Sequence, residues 1–201
     1  MAGKNKIIGF KINKASIRKK VINSAAFKKA ADWHAKRRFN KEKRKLLEEF
    51  SSHPVTQEIE EGTGAKNLSG TLGDYGNLFT FIGVPQGANP TDLVKSFLIS
   101  AIKMNRRVPS KGSSTVNYDI TVPSLNEFKV AKMPWEGGSN WVQSVETGIS
   151  GFNYFMSKAS NVSRSGQGIQ IDNKLRSIGK SANIKYMSKI INDFKKRITG
   201  R

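Results

Sequence analysis

The fold of this chain depends first on residues 15–50, which read ASIRKKVINSAAFKKAADWHAKRRFNKEKRKLLEEF. The stretch has no proline or glycine, and its many alanine, lysine, arginine, glutamate and leucine residues favour α-helix. Its apolar positions recur at helical spacing in a narrow stripe that is interrupted at residues 36–40. We therefore predict one long helix or two joined helices, mostly polar, that require a partner surface.

Charge is concentrated at the two ends of the chain. The 201 residues include 35 Lys and Arg against 15 Asp and Glu, a net charge of +20. Residues 1–50 hold 16 basic and 4 acidic side chains, and residues 151–201 hold 11 and 2. The residues between these ends are nearly neutral. This distribution predicts a packed domain with two cationic extensions, in a protein that attracts polyanions or acidic surfaces.

We predict three parts: a basic helical N-terminal arm over 1–52, a core domain over 53–160, and a linker with a basic C-terminal helix over 161–201. The expected fold class is α/β in the broad sense (α+β). A small mixed or antiparallel sheet would be packed by two or three helices. A long basic N-terminal helical arm and a C-terminal amphipathic helix would flank this core.

Within the core, His53 and Pro54 should end the first helix, because the residue before a proline avoids helical backbone. A short polar segment and a glycine-rich loop follow. The nearly continuous apolar run over 77–84 predicts a buried strand. Asn89-Pro90 then starts a helix that presents an apolar face up to Ile102.

Alternation predicts two further strands, over 116–122 and 128–133. A helix capped by Ser139 follows, and a tail helix is expected from Asn183 to Ile198. The residues predicted to be buried together are Phe81, Leu93, Phe97, Ile120, Val145 and Phe152.

No catalytic constellation can be recognised. The chain has no cysteine, and neither of its two histidines has a partner at the spacing of a metal site or a catalytic triad. Glu58, Glu60 and Glu61 are more typical of a solvated or salt-bridging edge than of a metal site. We expect no enzyme activity, no catalytic residue, no metal and no cofactor. Neither a signal peptide nor a membrane span is expected.

The candidate binding residues are cations that carboxylates in the sequence hardly offset. Those predicted to bind a polyanion or a partner are Lys36, Arg37, Arg38, Lys41, Lys43, Arg44, Lys45, Lys195, Lys196 and Arg197. Those predicted to pack against a partner are Val21, Trp33 and Phe39.

The middle of the chain carries a pattern of packing and turn residues. It comprises His53-Pro54-Val55-Thr56, Glu58, Ser69-Gly70, Leu72-Gly73 and Asn77-Leu78-Phe79-Thr80-Phe81-Ile82-Gly83. This pattern resembles structural proteins of tailed bacteriophages, in particular the tail-completion and neck group at the head–tail junction. The likeness covers roughly the first half of the core and continues less clearly to Trp141 and Phe155. The long basic N-terminal helix has no counterpart in it.

The resemblance implies a small α/β domain that forms a homo-oligomeric ring around the DNA conduit. Its expected partners are copies of itself and neighbouring virion proteins of the tail tube or connector, with DNA in the conduit as a further candidate. A tail-terminator role belongs to the same group. The expected location is the virion, assembled in the host cytoplasm.

Two other function classes stay open on the residues alone. A cellular nucleic-acid-binding protein, associated with the ribosome or the nucleoid, would explain the net charge, although no named nucleic-acid module is visible. A nuclease would have to draw its carboxylates from Glu58, Glu60, Asp74 and Asp119, which show no motif spacing. Solution mass separates a ring-forming protein from a monomeric binder.

Overall fold

Helices dominate the residues described by the computed structural model, which are 14–70, 77–84, 87–107, 115–132, 140–147 and 185–200. The helices are α1 (Lys14–Asn23), α2 (Ala25–Ser52), α3 (Pro54–Glu60), α4 (Leu78–Ile82), α5 (Pro90–Ala101), α6 (Trp141–Thr147) and α7 (Met187–Thr199). Strands β1 (Lys103–Arg106) and β2 (Tyr118–Thr121) form a two-stranded antiparallel sheet. The predicted α+β class is confirmed at this level, with a larger share of helix than expected.

The predicted N-terminal helix consists of two joined pieces. The break lies at Ser24, whose hydroxyl accepts a hydrogen bond from the Phe27 backbone N–H (3.2 Å) and donates one to the Val21 carbonyl oxygen (2.7 Å). A serine that bonds to local backbone in this way caps a new helix. Residues 36–40, around which the apolar stripe is interrupted, lie within continuous helix.

Contacts among the described residues divide the chain into two units. The first contains the described residues up to Arg38 together with those from Met104 to Asp119, and the second contains the rest. The boundary within α2 therefore falls after Arg38, whereas the predicted arm extends to residue 52. From Phe39 onward, α2 is part of the second unit.

The second unit joins the C-terminal half of α2 to α7. Phe39 packs edge-on against Phe194 with ring centroids 6.4 Å apart, and Phe50 stacks on Tyr186 at 6.2 Å. Leu46 lies fully buried between these two aromatic residues along α2. The predicted need for a partner surface is thus met over this half of the helix by the chain's own C-terminal helix.

The predicted strand over 77–84 is wrong, because α4 occupies this segment. The Asn77 side chain accepts a hydrogen bond from the Thr80 backbone N–H (3.0 Å) and thereby caps a helix. Gly83 ends it in a left-handed conformation (φ 70°). A short apolar run is compatible with either a strand or a helix, and here the capping residues at its two ends favour the helix.

The predicted strand over 128–133 is not formed over 128–132, the part of it that the structure describes: residues 129 and 130 form a turn, and Lys132 makes only an isolated antiparallel bridge to Asn140. Just before it, Ser124 and Glu127 form a reciprocal capping box that winds Leu125–Glu127 into a 3₁₀ turn. The predicted strand over 116–122 is confirmed as β2, but its partner is β1, a polar segment that apolar alternation does not reveal.

Only part of the predicted core is buried. Val145 is buried, Phe97 and Ile120 are half-buried, and Leu93 is 57% exposed. Helix α5 is present as predicted, but it buries the face that carries Val94 and Leu98, one residue away from Leu93. The side chain of Phe81 and all of Phe152 lie outside the described residues.

The last two helices agree with the sequence in position. Helix α6 begins at Trp141, and Asn140 caps it by accepting a hydrogen bond from the Gln143 backbone N–H (2.7 Å). The predicted cap, Ser139, and the segment after Thr147 lie outside the described residues. Helix α7 buries an apolar stripe that comprises Met187, Ile190, Ile191 and Phe194.

Replacing Phe194 with alanine should destabilise the protein by about 3–5 kcal/mol, because the ring is fully buried against α2. The matched control is Leu93→Ala, which truncates an exposed apolar side chain and should change stability by less than about 0.5 kcal/mol. Urea unfolding followed by circular dichroism measures both. Equal stabilities for the two variants would contradict the pairing of α2 with α7.

Candidate binding surface and the buried polar hub

Glu58 is the centre of a buried polar hub in the second unit. Its carboxylate is fully buried and accepts hydrogen bonds from the backbone N–H groups of Leu78 (2.7 Å) and Ser69 (2.8 Å). The Leu78 N–H belongs to the first turn of α4, where a helix leaves its donors unpaired and favours a negative charge. Glu58 thus joins α3 to the loop before α4 and to the start of α4.

Asn77 and Thr56 extend this hub. The Asn77 amide donates to the carbonyl oxygens of Thr63 (3.2 Å) and Ala65 (3.0 Å), which fixes the loop after α3. The Thr56 and Tyr186 hydroxyls form a buried hydrogen bond of 2.8 Å, and burial raises the pKa of Tyr186 above its ordinary value. Several polar residues of the packing and turn pattern between His53 and Gly83 are therefore used to hold the fold together.

His53 links the start of α3 to the residues that precede α7. Its Nδ1 accepts a hydrogen bond from the Val55 backbone N–H (3.2 Å), and its ring lies 4.7 Å from that of Tyr186. Burial is the main cause that lowers the pKa of His53. A hydrogen bond with the Lys185 backbone raises this pKa, the charge of Lys189 lowers it, and the charge of Glu146 raises it. The neutral imidazole is the form that caps the helix.

The carboxylates considered for a nuclease serve separate purposes. Glu58 holds the hub, Glu60 accepts a hydrogen bond from the Thr91 hydroxyl (3.1 Å), and Asp119 pairs with Arg107. Asp74 lies outside the described residues. In the ranges that the structure describes, no three histidine, aspartate or glutamate side chains come together as a metal site would require.

Most of the predicted binding cations are exposed. This is true of Lys36, Arg37, Arg38, Lys41, Arg44, Lys45, Lys195 and Lys196. They lie on α2 and at the end of α7, and they are the part of the predicted set that a polyanion can reach.

Lys43 and Arg197 are used within the fold instead. Lys43 Nζ donates to the carbonyl oxygens of Ile99 (2.6 Å) and Ile102 (2.9 Å) at the end of α5. Burial, and secondarily the charge of Lys103, lower the pKa of Lys43. Arg197 forms a two-pronged ion pair with Glu49 (2.8 and 3.0 Å) and a further bond to Glu42 (2.9 Å).

The three predicted partner-packing residues differ in exposure. Val21 is 49% and Trp33 is 55% exposed, so both can meet a partner. Phe39 is buried against Phe194 and is not available, which corrects the prediction for this residue. The apolar stripe of α2 did not reveal this difference, because covering Phe39 depends on a helix far away in the sequence.

Asp32 is a central contact residue of the first unit, and its role does not follow from the sequence pattern. Its carboxylate accepts hydrogen bonds from the Tyr118 hydroxyl (2.7 Å) and from Arg106 Nη1 (3.3 Å), which attach the residues of β1 and β2 in the first unit to α2. Burial, the hydrogen bond and the charge of Asp32 raise the pKa of Tyr118 to about 12. The available signal was that Asp32 is the only acid among residues 1–41.

Charge is unevenly divided between the two units. Residues 1–38 and 104–119 hold 15 basic and 2 acidic side chains, and the remainder of the chain holds 20 and 13. Both acids of the first unit, Asp32 and Asp119, are bound to arginines of the same unit. The first unit is therefore the strongly cationic part of the protein.

The chain matches no protein-family model, and comparisons with curated proteins and with solved structures found no match. Among the described residues, no helix has the length and apolar character needed to span a bilayer.

Replacing Glu58 with glutamine should cost about 1–3 kcal/mol of stability, because an amide cannot accept from both backbone donors with equal strength and its NH₂ group meets a donor. Glu61→Gln is the matched control, since Glu61 is exposed, and should change stability by less than about 0.5 kcal/mol. Chemical denaturation measures both variants. An unchanged Glu58→Gln protein would show that the hub is not needed for stability.

The stability of the protein should fall as pH drops through about 6.5, the ordinary pKa of histidine. The folded-state pKa of His53 is lowered, so the unfolded chain binds more protons below this pH and is favoured. His53→Asn keeps a helix cap but cannot titrate. Unfolding free energies between about pH 7.5 and about pH 5 should therefore fall less in the variant. Parallel curves would refute this role of His53.

Proposed function

We propose that this protein is a non-enzymatic structural component of a tailed-phage particle, located at the head–tail junction or in the tail. It is of the tail-completion, neck or terminator type. It acts by forming a homo-oligomeric ring and by contacting neighbouring virion proteins of the tail tube or connector. It is incorporated into the virion after synthesis in the host cytoplasm.

The observation that carries this proposal is the use of the phage-like pattern within the fold. Four polar residues of this pattern form hydrogen bonds within the chain and so stabilise its fold: Glu58, Asn77, Thr56 and His53. Internal bonds of this kind suit a subunit of an assembly, because such a subunit must present a fixed shape to its neighbours.

The distribution of charge also supports an assembly role. Exposed cations on α2 and α7 can bind acidic surfaces of neighbouring subunits or phosphates. Apolar side chains exposed nearby in the sequence, such as Val21, add surface that a neighbour can cover.

A cellular nucleic-acid-binding protein is the second candidate. It is favoured by the 15 basic and 2 acidic side chains of the first unit. This alternative requires neither a ring nor a particle, and the two functions therefore differ in solution mass and in location.

The proposed function predicts that the purified chain, alone or with its virion neighbours, associates beyond a dimer, and that purified particles contain several copies. Light scattering and quantitative mass spectrometry of particles measure these properties. The double variant Lys41→Glu/Arg44→Glu should remain folded but enter particles less efficiently, because it reverses exposed charge on α2. Lys129→Glu/Lys132→Glu, with the same charge change on other exposed residues, is the control. A monomer that is absent from particles would refute the proposal.

A further inference from the structure

One side of α2 in the first unit combines exposed cations with an exposed indole. Lys29, Trp33, Lys36 and Arg37 are all exposed. They are spaced three or four residues apart around Trp33, which places them on a common face of the helix. The Arg37 guanidinium lies over the Trp33 ring, 5.3 Å from its centroid.

Among the described residues, the contacts that Asp32 makes in the first unit lie on a different side of α2 from this exposed face. Asp32, one residue before Trp33 and therefore about 100° away around the helix, binds Arg106 and Tyr118. The single acid of this part of the helix is thus neutralised, and it does not reduce the charge beside Trp33. Trp33 is 55% exposed, and the ring of its neighbour His34 stands perpendicular to the indole, with centroids 4.8 Å apart.

We infer that this face of α2, formed by Lys29, Trp33, Lys36 and Arg37, binds single-stranded nucleic acid. The cations neutralise phosphates, and the indole stacks on an unpaired base. Charge complementarity favours a polyanion over an apolar protein surface, because three exposed cations occupy the helix positions one turn before and one turn after Trp33. A duplex offers phosphates to the same cations but conceals the faces of its bases, so Trp33 contributes only when bases are unpaired.

This inference goes beyond the proposed function, because it concerns the ligand of one unit and holds for a virion protein or a cellular one. Its test uses the purified full-length chain with no particle present. Failure of nucleic-acid binding and failure of particle incorporation are therefore separate results.

The experiment measures binding of a fluorescent oligo(dT) and of a duplex of equal length by anisotropy over a range of salt concentrations. Lys36→Gln/Arg37→Gln should reduce the log–log salt slope by roughly 1.4 for oligo(dT) and by roughly 1.8 for the duplex, since each cation accounts for about one phosphate. The control Lys129→Gln/Lys132→Gln removes the same charge from exposed residues of the second unit and should leave the slope unchanged.

Trp33→Ala should weaken oligo(dT) binding by at least about fivefold and duplex binding by less than about twofold. Trp33→Phe should restore most of the oligo(dT) affinity, because phenylalanine also stacks. Circular dichroism checks that each variant is folded. Equal losses for both ligands, no loss at all, or an equal effect of the control pair would overturn the inference. Displacement of oligo(dT) by polyglutamate as readily as by unlabelled oligo(dT) would also overturn it, since the face would then bind any polyanion.

Discussion

The contact between α2 and α7 is the constraint on which the second unit depends. A long polar helix with a narrow apolar stripe is not stable alone; Phe194 of α7 packs against Phe39, and Tyr186, just before α7, stacks on Phe50. Arg197 helps to fix how α7 aligns with α2. Its planar guanidinium forms two parallel hydrogen bonds with Glu49 and a third with Glu42. Tyr186, just before α7, then connects this pair of helices to the hub around Glu58 through Thr56.

Local signals in the sequence were sufficient to predict the helices whose ends are marked by a proline. Pro54 ends α2 and Pro90 begins α5, and both effects act within a few residues. The segment over 77–84 was mistaken for a strand, because a short apolar run has no decisive period. Its helical form also depends on Glu58, a side chain 20 residues away that binds the N-terminus of α4. Strand β1 was missed for a related reason, since only its pairing with β2 distinguishes its polar residues from a loop.

The exposure of the predicted binding residues follows from their charge in most cases. Most of the predicted lysines and arginines on α2 and α7 are exposed, as expected for side chains that prefer water. Lys43 and Arg197 could not be separated from them, because what distinguishes them is an acceptor that the fold brings close. For Lys43 these acceptors are carbonyl oxygens at the end of α5, and for Arg197 they are glutamates of α2. The burial of Phe39 could not be predicted for the same reason, since the residue that covers it belongs to a helix far away in the sequence.

The pairing of α2 with α7 also has a consequence for the order in which the protein can be made. Glu42 and Arg197 are 155 positions apart, so a ribosome that adds about 5–20 residues per second needs on the order of ten seconds or more to produce the second partner after the first. During that interval the nascent chain carries Phe39 without Phe194 and Phe50 without Tyr186, the rings that later pack against them. Pairing of the two helices must therefore wait for the synthesis of Arg197 and lags well behind the emergence of α2.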